Sequence, residues 1–594
     1  MSARRPVLIW DGDCGFCRLW VERWKRATGE RVEYLESQKL GSRFPELPRE
    51  RLAESVALVE PHKVSYGAEA VFRALGWARA YESVPGLAAV SELVYAFIAR
   101  RRPLFSRLTK TLWGASVEPP SFRWGASAFL AALSLSYLAG FLSLWSQVDG
   151  LYGSRGILPI EPFSAALRER FGSGAWGVAP SLFLLGADDG ALRAACVAGA
   201  ALAALALLGF ARGPALLGCW ALYLSFVNSG REFLSFQWDV LLLEAGFIGI
   251  FLSRWTLGRA KVEPPRAALF ALKLLLFRLM LASGAVKLLS GDPSWKSWDA
   301  LLFHYETQPL PTPLAWYAHQ LPAWLQRGSV AVVLFIELVA PFGIFLARRP
   351  RLLATALLLL LQLLIAATGN YCFFNLITIG LCLSLIDDRG RRLQSDWSPP
   401  SPARRRAAAL ACALLAVLGV IGLGRTFGAR LPNPFTALQP LHLVSNYGLF
   451  AVMTTTRPEI VLEGSPEGTV WVEYPFRFKP GPLWVAPHQP RLDWQMWFAA
   501  LSDWRENQWF INLLARILEG SPPVLDLLGG DPLAGVGAKY LRATVYEYRF
   551  TRLGSKEWWT REKKGLYCPI ISAAPKAESG SAPRPSPGSS RRAP

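Results

Sequence analysis

Histidine and cysteine are scarce in this chain of 594 residues, which contains five His and eight Cys. Only one Cys-x-x-Cys pair occurs, at Cys14 and Cys17, and no second pair or His cluster accompanies it to complete a four-ligand zinc site. The sequence also lacks a Gly-x-Ser-x-Gly nucleophile elbow. It therefore predicts no metal site and no cofactor, and it gives no support to a serine hydrolase.

Acidic residues are few relative to basic ones, with 44 Asp and Glu against 64 Lys and Arg and a formal net charge of +20. The arginines lie in short segments beside long apolar runs rather than in one basic face. That distribution is typical of the cytoplasmic loops of a membrane protein and does not favour nucleic-acid binding. The expected partner is therefore the lipid bilayer, with no nucleic acid.

The sequence also predicts no secretory signal, because the first apolar run, at 6–10, has only five residues and leads into an acidic turn. The long apolar runs come later and number about nine. The first of them, 126–146, contains no charged side chain and matches the roughly 20 residues that a helix needs to cross the hydrocarbon core. The runs span 126–146, 191–210, 214–228, 238–253, 267–289, 329–347, 352–368, 372–386 and 407–424.

The third, fourth and eighth runs are short for a full crossing, and re-entrant segments are the alternative. Losing the third and fourth together preserves the predicted orientation, whereas losing the eighth alone inverts the C-terminal part. The Arg-rich connections alternate with connections that are poor in Arg and Lys, which favours a cytoplasmic N-terminus and places everything after 425 outside.

These features predict a polytopic α-helical membrane protein with about nine transmembrane helices and soluble domains at both ends. We expect an N-terminal α/β domain at 1–118, a multispan helical domain at 119–425 and an extracytoplasmic α+β domain at 426–571. The Pro/Ser/Arg-rich end at 572–594 has too little apolar content to fold and is predicted to be disordered.

The cysteine pair of the head lies between a strand-like run and a segment with helical spacing, so Cys14 and Cys17 are predicted at a helix N-terminus. That position favours the thiolate, the species that attacks a disulfide or binds a metal. Asp11 and Asp13 oppose this effect, because nearby negative charge raises a thiol pKa. Redox chemistry is favoured over metal binding, and a structural pair is the third possibility.

The DGDCGFC turn at 11–17 and the segments GAEAVFRALG at 67–76 and YAFIARRR at 95–102 resemble the DCC family of thiol-disulfide oxidoreductases. The resemblance implies a thioredoxin-like fold, with Cys14 as the nucleophile, Cys17 as the resolving thiol and a thiol redox partner. No Pro precedes the predicted strand around 54–60, where a thioredoxin carries its cis-Pro. Because the head is predicted in a reducing compartment, the pair would act as a reductant or sensor.

Ionisable residues at bilayer depth are costly and are functional candidates, with helix-packing pairs as the alternative. Glu244, Arg278 and Glu337 fall near the middle of the fourth, fifth and sixth runs, so Arg278 is expected to pair with either acid. Asp239 and Lys287 lie nearer the outer face and are expected to form a second layer, approached by His304. Catalytic and structural roles remain equally open for this set.

Several long motifs in order resemble the lipase maturation factor family, among them DGLYGSRGILP, REFLSFQWDVLLLE, GNYCFFN and NQWFINLLARILEGSPPVLDLL. The resembling segments are 149–159, 231–244, 304–317, 369–375, 446–465, 473–482, 487–501, 507–528 and 540–551. The resemblance implies a multispan endoplasmic-reticulum protein that assists folding of secreted lipases. The fused head and the absence of any Asn-x-Ser/Thr sequon fit a bacterial inner membrane better.

The region after 426 alternates apolar and polar residues at 459–465, 469–478 and 540–551, which predicts half-buried strands, and 496–501 and 507–520 read as amphipathic helices. His488, Arg491 and Asp493 are interpreted as a hydrogen-bonded structural cluster rather than a catalytic one. The dense tryptophans form either a core or an exposed patch for unfolded clients. Cys568 is the region's only cysteine, so its one conceivable disulfide partner nearby is Cys372.

The leading hypothesis is a maturation factor that holds a secreted client, possibly a lipase, without catalytic turnover. The rival is an integral-membrane enzyme in one of two forms. One form is thiol-disulfide exchange by Cys14 and Cys17, although the cysteines within the spans, Cys196, Cys219, Cys382 and Cys412, read as small apolar side chains. The other form uses Lys287 as a base, because the segment 283–295 faintly resembles the vitamin K-dependent carboxylases.

Overall fold

The computed structural model describes residues 5–114, 117, 119–258, 262–391, 397–481, 483 and 489–572. His488 and the predicted disordered tail beyond Ser572 lie outside these residues. The described chain is mostly helical and forms a head, a helical body and a C-terminal domain.

The head contains a four-stranded sheet in the order β2-β1-β3-β4, covered by helices. Its elements are β1 (Val7–Trp10), α1 (Gly15–Thr28), β2 (Glu33–Glu36), α2 (Arg49–Glu54), β3 (Ala57–Glu60), β4 (Lys63–Tyr66), α3 (Gly67–Ala74), α4 (Ala78–Ser83), α5 (Leu87–Ala99) and α6 (Arg102–Trp113). Strand β1 pairs parallel to β2 and antiparallel to β3. The four residues of β1 are all buried, as expected of a central strand with both faces covered.

The helical body contains every predicted apolar run as a helix. Its elements are α7 (Arg123–Trp145), α8 (Val148–Tyr152), α9 (Ile160–Phe171), α10 (Ala175–Val178), α11 (Asp189–Leu208), α12 (Arg212–Ser229), α13 (Gln237–Leu252), α14 (Arg266–Leu289), α15 (Pro293–Lys296), α16 (Ala300–Thr307), α17 (Pro313–His319), α18 (Ala323–Leu338), α19 (Ala340–Gly343), α20 (Arg348–Thr368), α21 (Phe374–Leu383) and α22 (Pro402–Thr426).

Six stretches within the described residues are long and apolar enough to cross a membrane, namely α7, α11, α14, α18 continued by α19, α20 and α22. The three apolar runs absent from this set form α12, α13 and α21, and they are the same three that the sequence marked as short. All but four of the sixteen residues of α13 are buried by neighbouring helices. Burial in protein relaxes the length that a lipid-exposed helix would need.

One face of the body contacts the head, and we call it the head face. Arg389 donates to the carbonyl of Trp113 at the end of α6 over 3.1 Å. Asp388, which follows α21, accepts from the backbone N–H of Arg123 at the start of α7 over 2.9 Å. The starts of α7 and α20 and the end of α21 therefore meet at the head face, and contacts between α6 and α20 continue the same surface.

The opposite face contacts the C-terminal domain, and we call it the C-terminal face. The end of α12 lies there, because Asn228 donates to the carbonyl of Pro440 over 3.0 Å. The start of α13 lies there too, because Gln237 accepts from the N–H of Gly448 over 3.3 Å. Consecutive long helices thus run in alternating directions between the two faces.

Helix α7 packs at the centre of the body through small residues. A Cβ atom at Gly125 would lie 2.9 Å from the carbonyl oxygens of Leu383 and Ile386. At Gly199 on α11 a Cβ would overlap the ring of Phe141 on α7. Glycine therefore permits the close helix contacts that membrane bundles rely on, since lipid offers no hydrophobic driving force between helices.

The C-terminal domain combines a four-stranded antiparallel sheet, ordered β6-β5-β7-β8, with three helices. Its elements are β5 (Pro458–Ser465), β6 (Val472–Tyr474), α23 (Arg491–Ala499), α24 (Gln508–Leu518), α25 (Pro522–Leu525), β7 (Tyr540–Phe550) and β8 (Trp559–Ser572). The predicted strands at 459–465 and 540–551 and the predicted helix at 507–520 correspond to β5, β7 and α24. Only three residues of the predicted strand at 469–478 form β6, the helix predicted at 496–501 begins earlier as α23, and α25 and the long edge strand β8 were not predicted.

The tryptophans of this domain belong mainly to its core. Trp494, Trp497 and Trp509 are buried, and Trp494 packs edge-on against Trp238 of α13 with ring centroids 4.6 Å apart. Trp471 and Trp504 are half-buried, and Trp484 lies outside the described residues. The core alternative therefore describes these rings better than an exposed aromatic patch.

Candidate functional site

The two head cysteines sit at the N-terminus of α1, where the sequence predicts them. Cys14 is the N-cap residue of the helix, and its sulfur accepts a hydrogen bond from the backbone N–H of Cys17 over 3.2 Å. Both residues are half-buried and neither forms a disulfide. The unpaired amides at a helix N-terminus favour negative charge, and the Cys14 sulfur lies at that end of α1.

The electrostatic surroundings distinguish the two sulfurs. Burial, reinforced by the hydrogen bond and charge of Cys14, raises the pKa of the Cys17 thiol to about 12. Asp11 raises it further, while Arg102, whose guanidinium lies 3.5 Å from the Asp11 carboxylate, lowers it. The Cys17 thiol is therefore protonated at neutral pH.

Two cavities flank the pair. A polar one of about 1120 Å³ is lined by Cys14, Asp11 and Arg102. An apolar one of about 420 Å³ is lined by Cys17 together with Trp20 and residues of α3 and α5. The dithiol thus has room beside it for a polypeptide or a small disulfide.

Within the body, the predicted charges are brought together in pairs. Arg278 donates to Glu244 over 2.7 Å, and Tyr447 donates to the other oxygen of that carboxylate, also over 2.7 Å. The expectation that Arg278 pairs with Glu244 or Glu337 is resolved in favour of Glu244. The pair joins α14 to α13, and Tyr447 adds the segment that follows α22.

Lys287 pairs with Glu337. The prediction that Asp239 and Lys287 together form a second layer of charges is therefore wrong. The Lys287 ammonium donates to both Glu337 oxygens over 2.9 and 2.8 Å and to the carbonyl of Ser283 over 3.0 Å. His304 lines the same small cavity, as expected. All three N–H groups of the lysine are engaged, an arrangement typical of an ionised pair rather than of a free amine base.

Asp239 instead forms a bidentate pair with Arg491 of α23, over 2.8 and 3.0 Å, and both side chains are fully buried. The same guanidinium donates to Tyr223 of α12 over 3.1 Å. Bidentate carboxylate pairing of this kind combines charge with fixed geometry. It fastens the C-terminal domain to the helical body.

Arg491 and Asp493 do not form the single cluster that the sequence suggested. Asp493 accepts from the backbone N–H of Phe478 over 3.1 Å, on the side of its own domain. Burial raises the pKa of Asp493 to about 6. The two charges, separated by one residue on a helix, therefore serve different interfaces.

A further buried charge group, in the C-terminal domain, was not predicted from the sequence. Arg457 and Lys479 flank Glu459, with nitrogen to oxygen distances of 2.8 and 2.5 Å, and all three are buried. Arg457 also donates to the carbonyl of Glu306 in α16 over 2.7 Å. The sequence signal was the spacing of Arg457 and Glu459 at the start of β5, which exposed strands also show.

The remaining cysteines have no disulfide partners, since Cys568 and Cys372 are both free. Cys196, Cys219, Cys382 and Cys412 are buried in helices, as small apolar side chains are. Among the described residues no group of three or more His, Cys, Asp or Glu could hold a metal ion.

Comparisons with known proteins place the body and the C-terminal domain in one family. Residues 124–392 match the lipase maturation factor transmembrane domain, and residues 443–569 match the lipase maturation factor C-terminal domain. Both matches lie outside the head. No solved structure matches the chain.

Individual relatives agree over most of their length. Lipase maturation factor 2 of Gallus gallus is 34% identical over 592 residues, covering 77% of this chain and 82% of the relative. Lipase maturation factor 1 of Mus musculus is 34% identical, with coverage of 74% and 86%. The Homo sapiens lipase maturation factor 1 is 33% identical, with coverage of 75% and 87%.

Arg491→Leu is expected to loosen the C-terminal domain from the body. The substitution leaves the Asp239 carboxylate buried without its partner, which costs about 3–5 kcal/mol. We expect a lower melting temperature for the detergent-solubilised chain and faster proteolysis of the 426–572 region. Adding Asp239→Leu should recover part of the loss.

The matched control is Arg505→Leu, which removes an exposed ion pair with Asp503 in the same domain. Exposed pairs contribute at most about 1 kcal/mol, so its melting temperature should stay near that of the unmodified chain. Equal melting temperatures for the two single variants would contradict the anchoring role of Arg491.

Proposed function

The chain belongs to the lipase maturation factor family, and from that premise we propose that it is a membrane-anchored maturation or folding factor for secreted, lipase-like clients. The observation that carries the proposal is the buried attachment of the C-terminal domain to the helical body. The Arg491 pair with Asp239 and the Arg457 contact with Glu306 hold the domain against the loops of one face. A domain held in this way can present a fixed surface to a client without turning over any bond.

The client proposal is tested by expressing a secreted lipase with the full chain, with no chain, with Arg491→Leu and with Arg505→Leu. We expect the active fraction of the secreted lipase to fall to the level without the chain for Arg491→Leu, because the client surface is no longer held in place. Arg505→Leu should match the unmodified chain. The measurement is lipase activity per amount of secreted antigen, with the membrane abundance of each variant as the control.

Lipase activity that is independent of the chain would overturn this function. An Arg491→Leu variant whose C-terminal domain is detached could still support the lipase fully. That result would overturn only the claim that attachment is required, and the proposed function would stand.

We propose further that all nine apolar helices traverse the bilayer, with the head in the cytoplasm and the C-terminal domain on the outer side. Two observations support nine crossings over six. The chain after α20 returns to the head face through α21, because Asp387 contacts Arg348 at the start of α20 over 2.9 Å. Similarly, Gly213 at the start of α12 donates to the carbonyl of Arg254, just past the end of α13, over 3.0 Å. We propose the bacterial inner membrane as the location of a protein with this topology. If the source is eukaryotic, the proposed location is the endoplasmic-reticulum membrane.

The orientation predicts opposite labelling of two exposed positions. In a background with Cys14 and Cys17 replaced by Ser, His62→Cys and Glu467→Cys are treated with a membrane-impermeant maleimide. Position 467 should react in intact cells or sealed spheroplasts, and position 62 only after the membrane is opened. Labelling of both positions from the same side would contradict nine crossings and favour an even number.

For the head we propose thiol-disulfide exchange with a redox partner, on a thioredoxin-like fold of the DCC type. The sheet order β2-β1-β3-β4, the helix that begins at the dithiol and the raised pKa of Cys17 support it. Cys14 would attack the partner's disulfide to form a mixed disulfide and release one partner thiolate. Cys17 would then attack Cys14, which leaves the second partner thiol reduced and the head oxidised.

Cys17→Ser should trap the mixed disulfide, because the resolving sulfur is missing, whereas Cys14→Ser should trap nothing. Non-reducing electrophoresis of cells treated with acid and then alkylated would reveal the adduct as a band that disappears on reduction. Equal adducts from both variants, or from neither, would contradict these roles. The client experiment is independent of this result.

A further inference from the structure

A cavity of about 610 Å³ lies where α7, the segment at 370–376 and the C-terminal domain meet. Its volume falls within the range of about 300–1,000 Å³ that small-molecule sites occupy. It is separate from the cavities of the head and from the cavity of Lys287. Because the C-terminal domain covers α7 here, the cavity spans the boundary between the body and that domain.

The lower part of the cavity is apolar. Leu135, Leu138 and Leu142 of α7 line it, together with Leu376 of α21. Leu135 and Leu142 are 43% and 47% exposed, so this stripe of α7 lacks a covering helix. Since α7 is one of the six candidate membrane spans, the stripe faces the hydrocarbon of the bilayer. An acyl chain can therefore enter from the side.

The upper part contains a buried donor without an acceptor. Gln489 is only 2% exposed, and its Oε1 accepts from the Arg491 guanidinium over 3.0 Å. Because a guanidinium only donates, that hydrogen bond fixes the orientation of the amide and leaves Nε2 as the free end. Nε2 is buried and has no acceptor among the described residues. A buried donor is costly to leave unpaired, so the position favours a ligand that brings an acceptor.

The charges at this end are of both signs. Arg477 lines the cavity and uses its Nε to donate to the carbonyl of Leu528 over 2.9 Å. Two carboxylates, Asp493 and Asp526, line the same end. A purely anionic head, such as that of a fatty acid, would face these two acids, and Lys479 offsets only part of the Asp493 charge. A head that carries a phosphate and an ammonium complements the whole set.

We propose that this cavity binds one aminophospholipid, such as phosphatidylethanolamine, from the leaflet beside the C-terminal domain. Its acyl chain lies along the leucine stripe of α7. Its phosphate accepts from Gln489 and Arg477, and its ammonium donates to Asp493 and Asp526. The lipid then bridges the body and the C-terminal domain beside the Arg491 attachment.

The test uses the purified full chain in detergent after delipidation, without any client. Phosphatidylethanolamine, phosphatidylcholine, phosphatidylglycerol and oleate are added in turn, and bound lipid is counted by native mass spectrometry alongside the melting temperature. We expect one phosphatidylethanolamine to be retained and to raise the melting temperature. Phosphatidylcholine, whose ammonium has no N–H to donate, and phosphatidylglycerol, which has no ammonium, should bind more weakly by about tenfold.

Two variants locate the site. Leu142→Trp fills the apolar part and Arg477→Gln removes the phosphate contact, and each should weaken phosphatidylethanolamine retention by about tenfold. Their controls are Leu353→Trp, at an exposed leucine of α20, and Arg505→Gln, at an exposed arginine of the C-terminal domain. Both control variants should retain the lipid as the unmodified chain does.

Each other outcome overturns the proposal. Equal binding of all four lipids would show unselective association with the apolar surface of the protein. Full binding of oleate would show that the lipid headgroup contributes nothing. Unchanged retention in Leu142→Trp would place the lipid elsewhere. Because no client is present, failure here leaves the proposed maturation function untouched.

Discussion

The buried pair of Asp239 and Arg491 is the interaction on which the arrangement of this molecule depends. Moving either charge out of water costs several kcal/mol, and only excellent geometry with additional hydrogen bonds offsets that cost. The site supplies both, since the guanidinium binds the carboxylate at two points and also reaches Tyr223 and Gln489. One residue of the C-terminal domain thereby fixes α12 and α13 and seats the whole domain on the body.

The same requirement shapes the interior of the body. Arg278 with Glu244 joins α14 to α13, and Lys287 with Glu337 joins α14 to α18. Each pair lies where an unpaired charge would be energetically costly, so each charge requires the helix that carries its partner. Helix α14 thus carries two cations, and each forms an ion pair with a different neighbouring helix. Short helices such as α13 persist in this setting because protein, rather than lipid, surrounds them.

The head and the C-terminal domain contact opposite faces of the helical body, and their chemistry differs. The head holds two free thiols at a helix N-terminus with cavities beside them, whereas the C-terminal domain is held to the body by buried ion pairs and packed tryptophans. The helical body separates them, so the dithiol in the head has no direct path to the client proposed for the other face. The two proposed activities are therefore independent, and any link between them must pass through the helices.

The amino-acid sequence by itself determined the elements whose signals are local. All nine apolar runs form helices, Cys14 caps α1, and the period-two segments at 459–465 and 540–551 form β5 and β7. Strand β8 escaped because both of its faces are largely exposed, which removes the alternation that marks a half-buried strand. Only the tertiary structure decided that Arg278 pairs with Glu244 and that Asp239 pairs with Arg491, which lies 252 residues away along the chain. The physical reason is that charge burial demands a partner but does not specify which one, whereas helix and strand patterns depend only on neighbours within a turn or two.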